Sequence, residues 1–187
     1  TWTSWNVLLE FSDGDIKMEF QGDDRIPLIA ANPYSGDYCW WSNRGDGIDS
    51  TLTRTFDLRQ TNEAKLRFWS WYAIEDVFDR GYVAASIDNG KSWDILEGER
   101  TTSDNPVGTS LGPSYTGTSD GWVEEQIDLG PYVGFVVLLR FNYITDESIN
   151  TTGWCIDDIS VPEVGFIDDG EADLGWHADG FASVTQD

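Results

Sequence analysis

The stretch that most constrains this chain is Gly153–Val161, GWCIDDISV. Apolar residues flank two adjacent carboxylates, and Ile, Val and Trp suit a pleated, half-buried environment, so the run reads as a strand. Side chains alternate across a strand, so Asp157 and Asp158 are expected on opposite faces. One can face solvent. The other points inward or lies at a sheet rim, where a bare charge is costly unless it is paired or bound to a metal. The strand is expected to close a β-sandwich.

The pattern before it supports that fold class. Val7–Phe11 and Ile16–Phe20 are short apolar runs around Ser12-Asp13-Gly14-Asp15, a hairpin turn signal, giving a leading hairpin within residues 1–24. Gln21–Gly36, with Pro27 and Asn32-Pro33, reads as a loop. Tyr38–Ser42 and Thr51–Leu58 are strands separated by the Gly/Asp loop Asn43–Asp49. In Ala64–Tyr72, Ala64, Leu66, Phe68, Ser70 and Tyr72 share the inward face. Lys65, Arg67, Trp69 and Trp71 share the outward one. Tyr82–Asp88 alternates with Val83, Ala85 and Ile87 inward, and Trp93–Leu96 follows a tight turn. A long loop over 98–121, rich in Gly, Ser, Thr, Asn and Pro, precedes the strands Trp122–Leu129 and Val136–Tyr143. No stretch shows a 3.6-residue apolar period. The reading is all-β: a two-sheet antiparallel jelly-roll-like sandwich over residues 1–163, then an acidic, Gly-rich tail over 164–187 that could open a following module.

Charge narrows the partners. With 34 acidic and 11 basic residues the net charge is −23. Such a field repels phosphate backbones and anionic lipid, which argues against nucleic-acid and membrane-surface partners. It is compatible with Ca²⁺, which takes oxygen ligands, and equally with a role in solubility alone. No apolar run reaches the roughly 18 residues of a membrane span, so membrane insertion is not expected. The chain opens TWTSWNVLLEF, with no initiator Met and no signal-peptide pattern, and is expected to be a mature fragment or excised domain.

Several motifs carry competing readings. Ser86–Trp93, SIDNGKSW, fits the Asp-box pattern S-x-D-x-G-x-[ST]-W. Asp88 can accept turn N–H groups, Gly90 can supply positive φ and Trp93 can pack beneath, which makes the motif a folding device. Arg44-Gly45-Asp46 is a three-residue match to an adhesion motif. The plainer role of Asp46 and Asp49 is to cap turns or bind a cation. Glu75, Asp76 and Asp79 cluster in IEDVFD, as acid/base pair, Ca²⁺ ligands or solvated loop. His177 is the single histidine, so a two-histidine H-E-x-x-H zinc site cannot form within this sequence. Trp69, Trp71 and Arg67, with Tyr82 on an adjacent strand, could form an aromatic platform for sugar rings. Alternatively another domain covers them. Cys39 and Cys155 are the two cysteines, each in an apolar strand, and either bond to one another or persist as buried thiols.

The runs SGDYCWWSNRGDGIDSTLTRTFDL, LRFWSWYAIEDVFDRGYVAASIDNGKSWDIL and LLRFNYITDESINTTGWCIDDISVPEVGFIDDGEADLGWHADGF resemble the non-catalytic region of immune inhibitor A-like proteins. These are secreted bacterial metallopeptidases of the M6 family and related surface proteins, and the likeness runs from about Gly22 onward. It implies a sandwich akin to MAM and carbohydrate-binding modules. It also implies a structural Ca²⁺ held by Asp157 first and Asp158 second; no motif fixes the remaining ligands, for which Asp46, Asp49, Glu75 and Asp76 are candidates. In such modules the early and closing strands are neighbours, which favours a Cys39–Cys155 disulfide. No catalytic residue carries over. The implied role is an accessory or binding module of a secreted or cell-surface protein, next to other domains of a longer chain and in contact with a protein or polysaccharide substrate. The alternatives are a dedicated carbohydrate-binding module and a structural segment of a surface assembly.

Overall fold

The computed structural model describes residues 6–12, 15–21, 29 and 31–185. The expected turn residues Asp13 and Gly14, the ends of the leading segment and residues 22–28 lie outside that set. The expected leading hairpin is present as β1 (Asn6–Ser12) and β2 (Asp15–Gln21), antiparallel and paired with each other.

The rest is a two-sheet antiparallel sandwich. One sheet has the order β13-β4-β10-β6-β7: β13 is His177–Asp179, β4 Asp49–Asp57, β10 Val136–Ile144, β6 Arg80–Ser86 and β7 Asp94–Leu96. The other runs β14 (Ala182–Thr185), β3 (Tyr38–Trp41), β11 (Gly153–Val161), β5 (Lys65–Ile74) and β8 (Gly117–Thr118). In this second sheet β9 (Val123–Asp128) also pairs with β5, and β12 (Phe166–Asp168) with β11.

Alternation builds the core. In β5 the residues at every second position are buried, so Leu66, Phe68, Ser70 and Tyr72 point inward as expected. In β10 the inward set is Val137, Leu139, Phe141 and Tyr143. Phe68 meets Phe141 across the sandwich with ring centroids 5.0 Å apart, and Phe141 meets Trp154 at 5.8 Å. Each such fully buried apolar side chain contributes about 1.5–3 kcal/mol. The Trp154 indole, fully enclosed, donates Nε1–H to Ser70 Oγ at 2.8 Å, so its polar atom costs nothing. Gly153, with φ +95°, sets up this strand: a Cβ there would lie 2.5 Å from the Asn43 carbonyl oxygen.

Three segments add to the sequence reading, and one of them corrects it. The acidic segment expected either to pack along the sandwich or to open a following module packs along it over 164–185: β12, β13 and β14 extend both sheets, and Phe166, Trp176 and Phe181 pack on the core. Asp168 accepts the Trp176 indole N–H at 2.6 Å, which fixes the turn between them. Ile87 lies past the end of β6 and is half exposed rather than inward. The loop over 98–121 is pinned, with Thr102 bridging Ser114, Gly81 bridging Tyr115, and Tyr115 fully buried.

Candidate functional site

The closing strand β11 carries a bulge. Asp157 pairs with Trp69 of β5 and Ser160 with Arg67, so three steps on β11 match two on β5. Asp158 takes the left-handed conformation there, with φ 46°. The extra residue lets Ile156 and Ile159 both face the core. It leaves Cys155 and Asp157 on the outer face.

Asp157 is nonetheless 1% exposed, because the chain before β3 crosses over it. Its Oδ2 accepts the backbone N–H of Tyr34 at 2.8 Å and of Ser35 at 3.2 Å, and its Oδ1 accepts the N–H of Asp158 at 2.8 Å. Ser35 Oγ donates to Asp158 Oδ1 at 2.7 Å. Burial pushes the Asp157 carboxyl up to about 6, outweighing the three donors that favour its charged form. These two aspartates therefore clamp a crossing segment with their oxygens.

The expected aromatic platform is partly covered by that same segment. The Tyr34 ring stacks on Trp69 at 3.7 Å and 13°, and Trp122 donates its indole N–H to the Asn32 carbonyl at 2.9 Å. Trp71 is half-buried against a small second cluster of Ile29, Cys39, Trp41 and Cys155. Tyr82 does not belong to the platform. It lies on β6 in the other sheet, is 1% exposed, and accepts the Leu111 N–H at its hydroxyl, 3.1 Å away, beneath the long loop. The misplacement came from setting consecutive strands side by side, whereas the chain crosses between sheets from β5 to β6. Arg67 stays exposed on the outer face, beside a groove of about 320 Å³ shared with Trp69, Glu124, Asp158, Ser160 and Ile167.

Cys39 and Cys155, the pair expected to bridge, lie side by side and buried, with their thiols in contact. Cys155 stands opposite Trp41, two residues from Cys39.

The candidate metal ligands separate. Asp46 Oδ1 accepts the Asn150 side-chain amide at 2.7 Å and ties two loops together, and Asp49 Oδ1 accepts that of Asn142 at 2.6 Å and joins β4 to β10. Asp76 is exposed on the turn after β5. Glu75 is brought to a cluster, with Asp79 and Asp146, in which one carboxylate oxygen from each lies within 4.8 Å of the others. Asp46, Asp49, Asp76, Asp157 and Asp158 are not part of it. Asp79 is fully buried, and its Oδ1 accepts the Asp146 N–H at 2.9 Å. Its Oδ2 and Glu75 Oε2 are buried without a partner, and the Tyr143 hydroxyl faces Asp79 outside hydrogen-bond geometry. Burial first, then the Glu75 and Asp146 charges, push Asp79 up to about 6. Asp79 was visible in the IEDVFD run. Asp146 was not, because only the fold brings the β10–β11 loop to that turn.

The Ser86–Trp93 turn is held by its own side chains. Asp88 Oδ1 accepts the N–H groups of Lys91 and Ser92 at 3.0 and 2.9 Å, and Trp93 donates its indole N–H to the Gly90 carbonyl at 3.1 Å. These bonds hold the carboxyl of Asp88 well below the usual carboxylate range, the Ser92 hydroxyl contributing most. Both carboxylate oxygens of Asp88 are engaged within the turn.

A two-sheet antiparallel sandwich whose acidic side chains clamp loops defines the class of a β-sandwich module of MAM type. The chain belongs to the immune inhibitor A-like MAM domain family, whose model matches residues 24–185. It is 34% identical over 152 residues to the pre-pro-metalloprotease PrtV of Vibrio cholerae serotype O1, covering 80% of this chain and 16% of that protein. It is 32% identical over 154 residues to immune inhibitor A of Bacillus thuringiensis subsp. alesti, covering 80% of this chain and 21% of that protein. Bacillopeptidase F of Bacillus subtilis is 36% identical over 94 residues, half of this chain. The chain thus spans a fifth or less of PrtV's length and about a fifth of immune inhibitor A's, and it is a non-catalytic accessory domain rather than the peptidase part.

Proposed function

We propose that this domain serves a secreted or cell-surface bacterial metallopeptidase as a module that presents substrate or surface to the catalytic domain, or holds that domain in place. The observation that carries this reading is the match over 24–185 to the immune inhibitor A-like MAM domain family, together with the likeness to the much longer pre-pro-metalloprotease PrtV and immune inhibitor A. Calcium stabilises the module in this reading, and the fit is chemical: Glu75 and Asp79 each keep a buried carboxylate oxygen without a partner and cluster with Asp146, in a chain of net charge −23. The test compares the full-length gene product with a variant lacking residues 24–185. Cleavage of a short peptide is expected to persist while cleavage of folded protein falls at least several-fold. Equal rates on both substrates would remove the accessory role.

A polysaccharide-binding role is the second reading. It rests on the groove beside Trp69 and Arg67, where an indole edge and a guanidinium border an open surface. Affinity electrophoresis through polysaccharide gels tests it. Retardation that Trp69→Ala abolishes would support it, and unretarded migration in every gel would end it.

A further inference from the structure

Three segments that are distant in sequence meet at Asp79. Glu75 follows β5, Asp79 precedes β6, and Asp146 follows β10. Asp79 is 0% exposed, yet its Oδ2 has no partner in hydrogen-bond geometry, the Tyr143 hydroxyl facing Asp79 included, and neither has the buried Glu75 Oε2. A carboxylate oxygen withdrawn from water and left bare is expensive, and two that converge repel one another as well. Among the described residues no Lys or Arg forms an ion pair with any of the three acids; the ion pair there is Asp57–Arg59. Asp146 is exposed, so the cluster opens to solvent on its side.

We infer that Glu75, Asp79 and Asp146 together bind one Ca²⁺, through Glu75 Oε2, Asp79 Oδ2 and a carboxylate oxygen of Asp146. This deepens the calcium part of the proposed function and rests on it. The donor set is all oxygen, which excludes the soft-metal preference that Cys or His would bring. Oxygens on opposite sides of one Ca²⁺ stand about 4.8 Å apart, so a group confined within 4.8 Å fits around it without rearrangement. Three protein ligands are few for Mg²⁺ and Ca²⁺ alike. The open Asp146 side admits the waters that complete a shell of about six to eight.

The ion would join more than its ligands. The turn between Glu75 and Asp79 holds Val77 at φ 76°, a strained conformation for a β-branched residue, and Thr116 braces it by accepting the Val77 N–H at 3.0 Å and donating to the Glu75 carbonyl at 3.1 Å. The Asp146 carbonyl accepts the Gly47 N–H, which carries the connection to the Asn43–Asp49 loop. One cation therefore locks three loops at one end of the sandwich.

The chain, stripped with EDTA and dialysed, is titrated with CaCl2 by calorimetry and melted with and without the ion. Wild type is expected to bind and to melt at higher temperature with Ca²⁺. Asp79→Asn and Asp146→Asn are each expected to weaken binding at least tenfold, while Asp157→Asn binds as wild type does. Asp146 is exposed, so its variant decides the matter if Asp79→Asn does not fold. If wild type neither binds nor shifts, the calcium reading itself fails. If wild type binds and both cluster variants bind equally tightly, the calcium reading stands and this site is overturned; loss confined to Asp157→Asn would overturn it as well.

Discussion

Asp157 and Asp79 are both buried, and burial pushes both carboxyls up to about 6, yet their oxygens are used in opposite ways. Asp157 spends both oxygens on three backbone N–H donors from Tyr34, Ser35 and Asp158. Asp79 spends one oxygen on the Asp146 N–H and leaves the other bare beside Glu75. The raised carboxyl is common to the two and so does not separate a clamp from a cation site. What separates them is the inventory of donors around each oxygen. Asp157 is complete as it stands, whereas Asp79 keeps an oxygen that no donor of the described chain, the Tyr143 hydroxyl beside it included, pairs in hydrogen-bond geometry.

The largest expected effect follows from breaking the complete one. Asp157→Ala leaves two N–H groups of the crossing segment, and the N–H of its neighbour Asp158, without their acceptor. With hydrogen bonds to charged groups contributing about 1.5–3 kcal/mol each, and water recovering part of that, a loss of about 3–5 kcal/mol is expected. Urea denaturation in EDTA measures it. Asp79→Asn under the same conditions is expected to change stability by less than about 1 kcal/mol, because the amide keeps an acceptor for the Asp146 N–H and removes a repelling charge. Equal losses in the two variants would erase the distinction.

How much of this the sequence carried depends on sequence distance. Alternation in Lys65–Ile74 and Val136–Ile144 reported which residues face the core, because a strand's two faces are set locally. Burial at the Asp157-Asp158 pair was legible for the same reason. Its use was not: the donors Tyr34 and Ser35 lie more than 120 residues earlier. The strands of 166–185 were missed because they are three or four residues long and too short to alternate. Tyr82 was misassigned because nothing local says that the chain changes sheet between β5 and β6. Glu75 and Asp79 share a turn and were readable together. Asp146 arrives through the pairing of β10 with β6, which no spacing in the sequence encodes.

An intermediate effect comes from pH. Asp157 has a folded-state pKa of about 6 against an ordinary 3.8, so between those values the folded chain holds a proton that the unfolded chain has released. A group raised in this way adds stability as pH falls through about 6. Its contribution is complete below about 3.8 and is lost as pH rises back through that window. The full shift corresponds to at most about 3 kcal/mol, and solvent screening lowers this to about 1–3 kcal/mol. Other carboxylates titrate too, so the quantity to measure is the difference between wild type and Asp157→Asn in EDTA, followed from pH 7 to pH 4. Wild type is expected to gain on the variant as pH falls. Parallel curves would mean that Asp157 is more hydrated than its burial implies, which weakens its likeness to Asp79.

The smallest effect separates the two parts of the Asp157 clamp. Tyr34 contributes a backbone N–H to the carboxylate and, independently, a ring stacked on Trp69 at 3.7 Å. Tyr34→Ala removes the ring and leaves the N–H. An aromatic pair adds about 0.5–1.5 kcal/mol beyond the area it buries, and the Tyr34 ring is 41% exposed, so the loss should be about 1 kcal/mol. It should also uncover one face of the Trp69 indole and shift its fluorescence to longer wavelength without unfolding the sheet. If the carboxylate is what holds the segment, Tyr34→Ala costs a third or less of Asp157→Ala. A loss as large as that of Asp157→Ala would make the stack the true anchor. Asp157 would then be an incidental acceptor, and the contrast with Asp79 would rest on the bare oxygen alone.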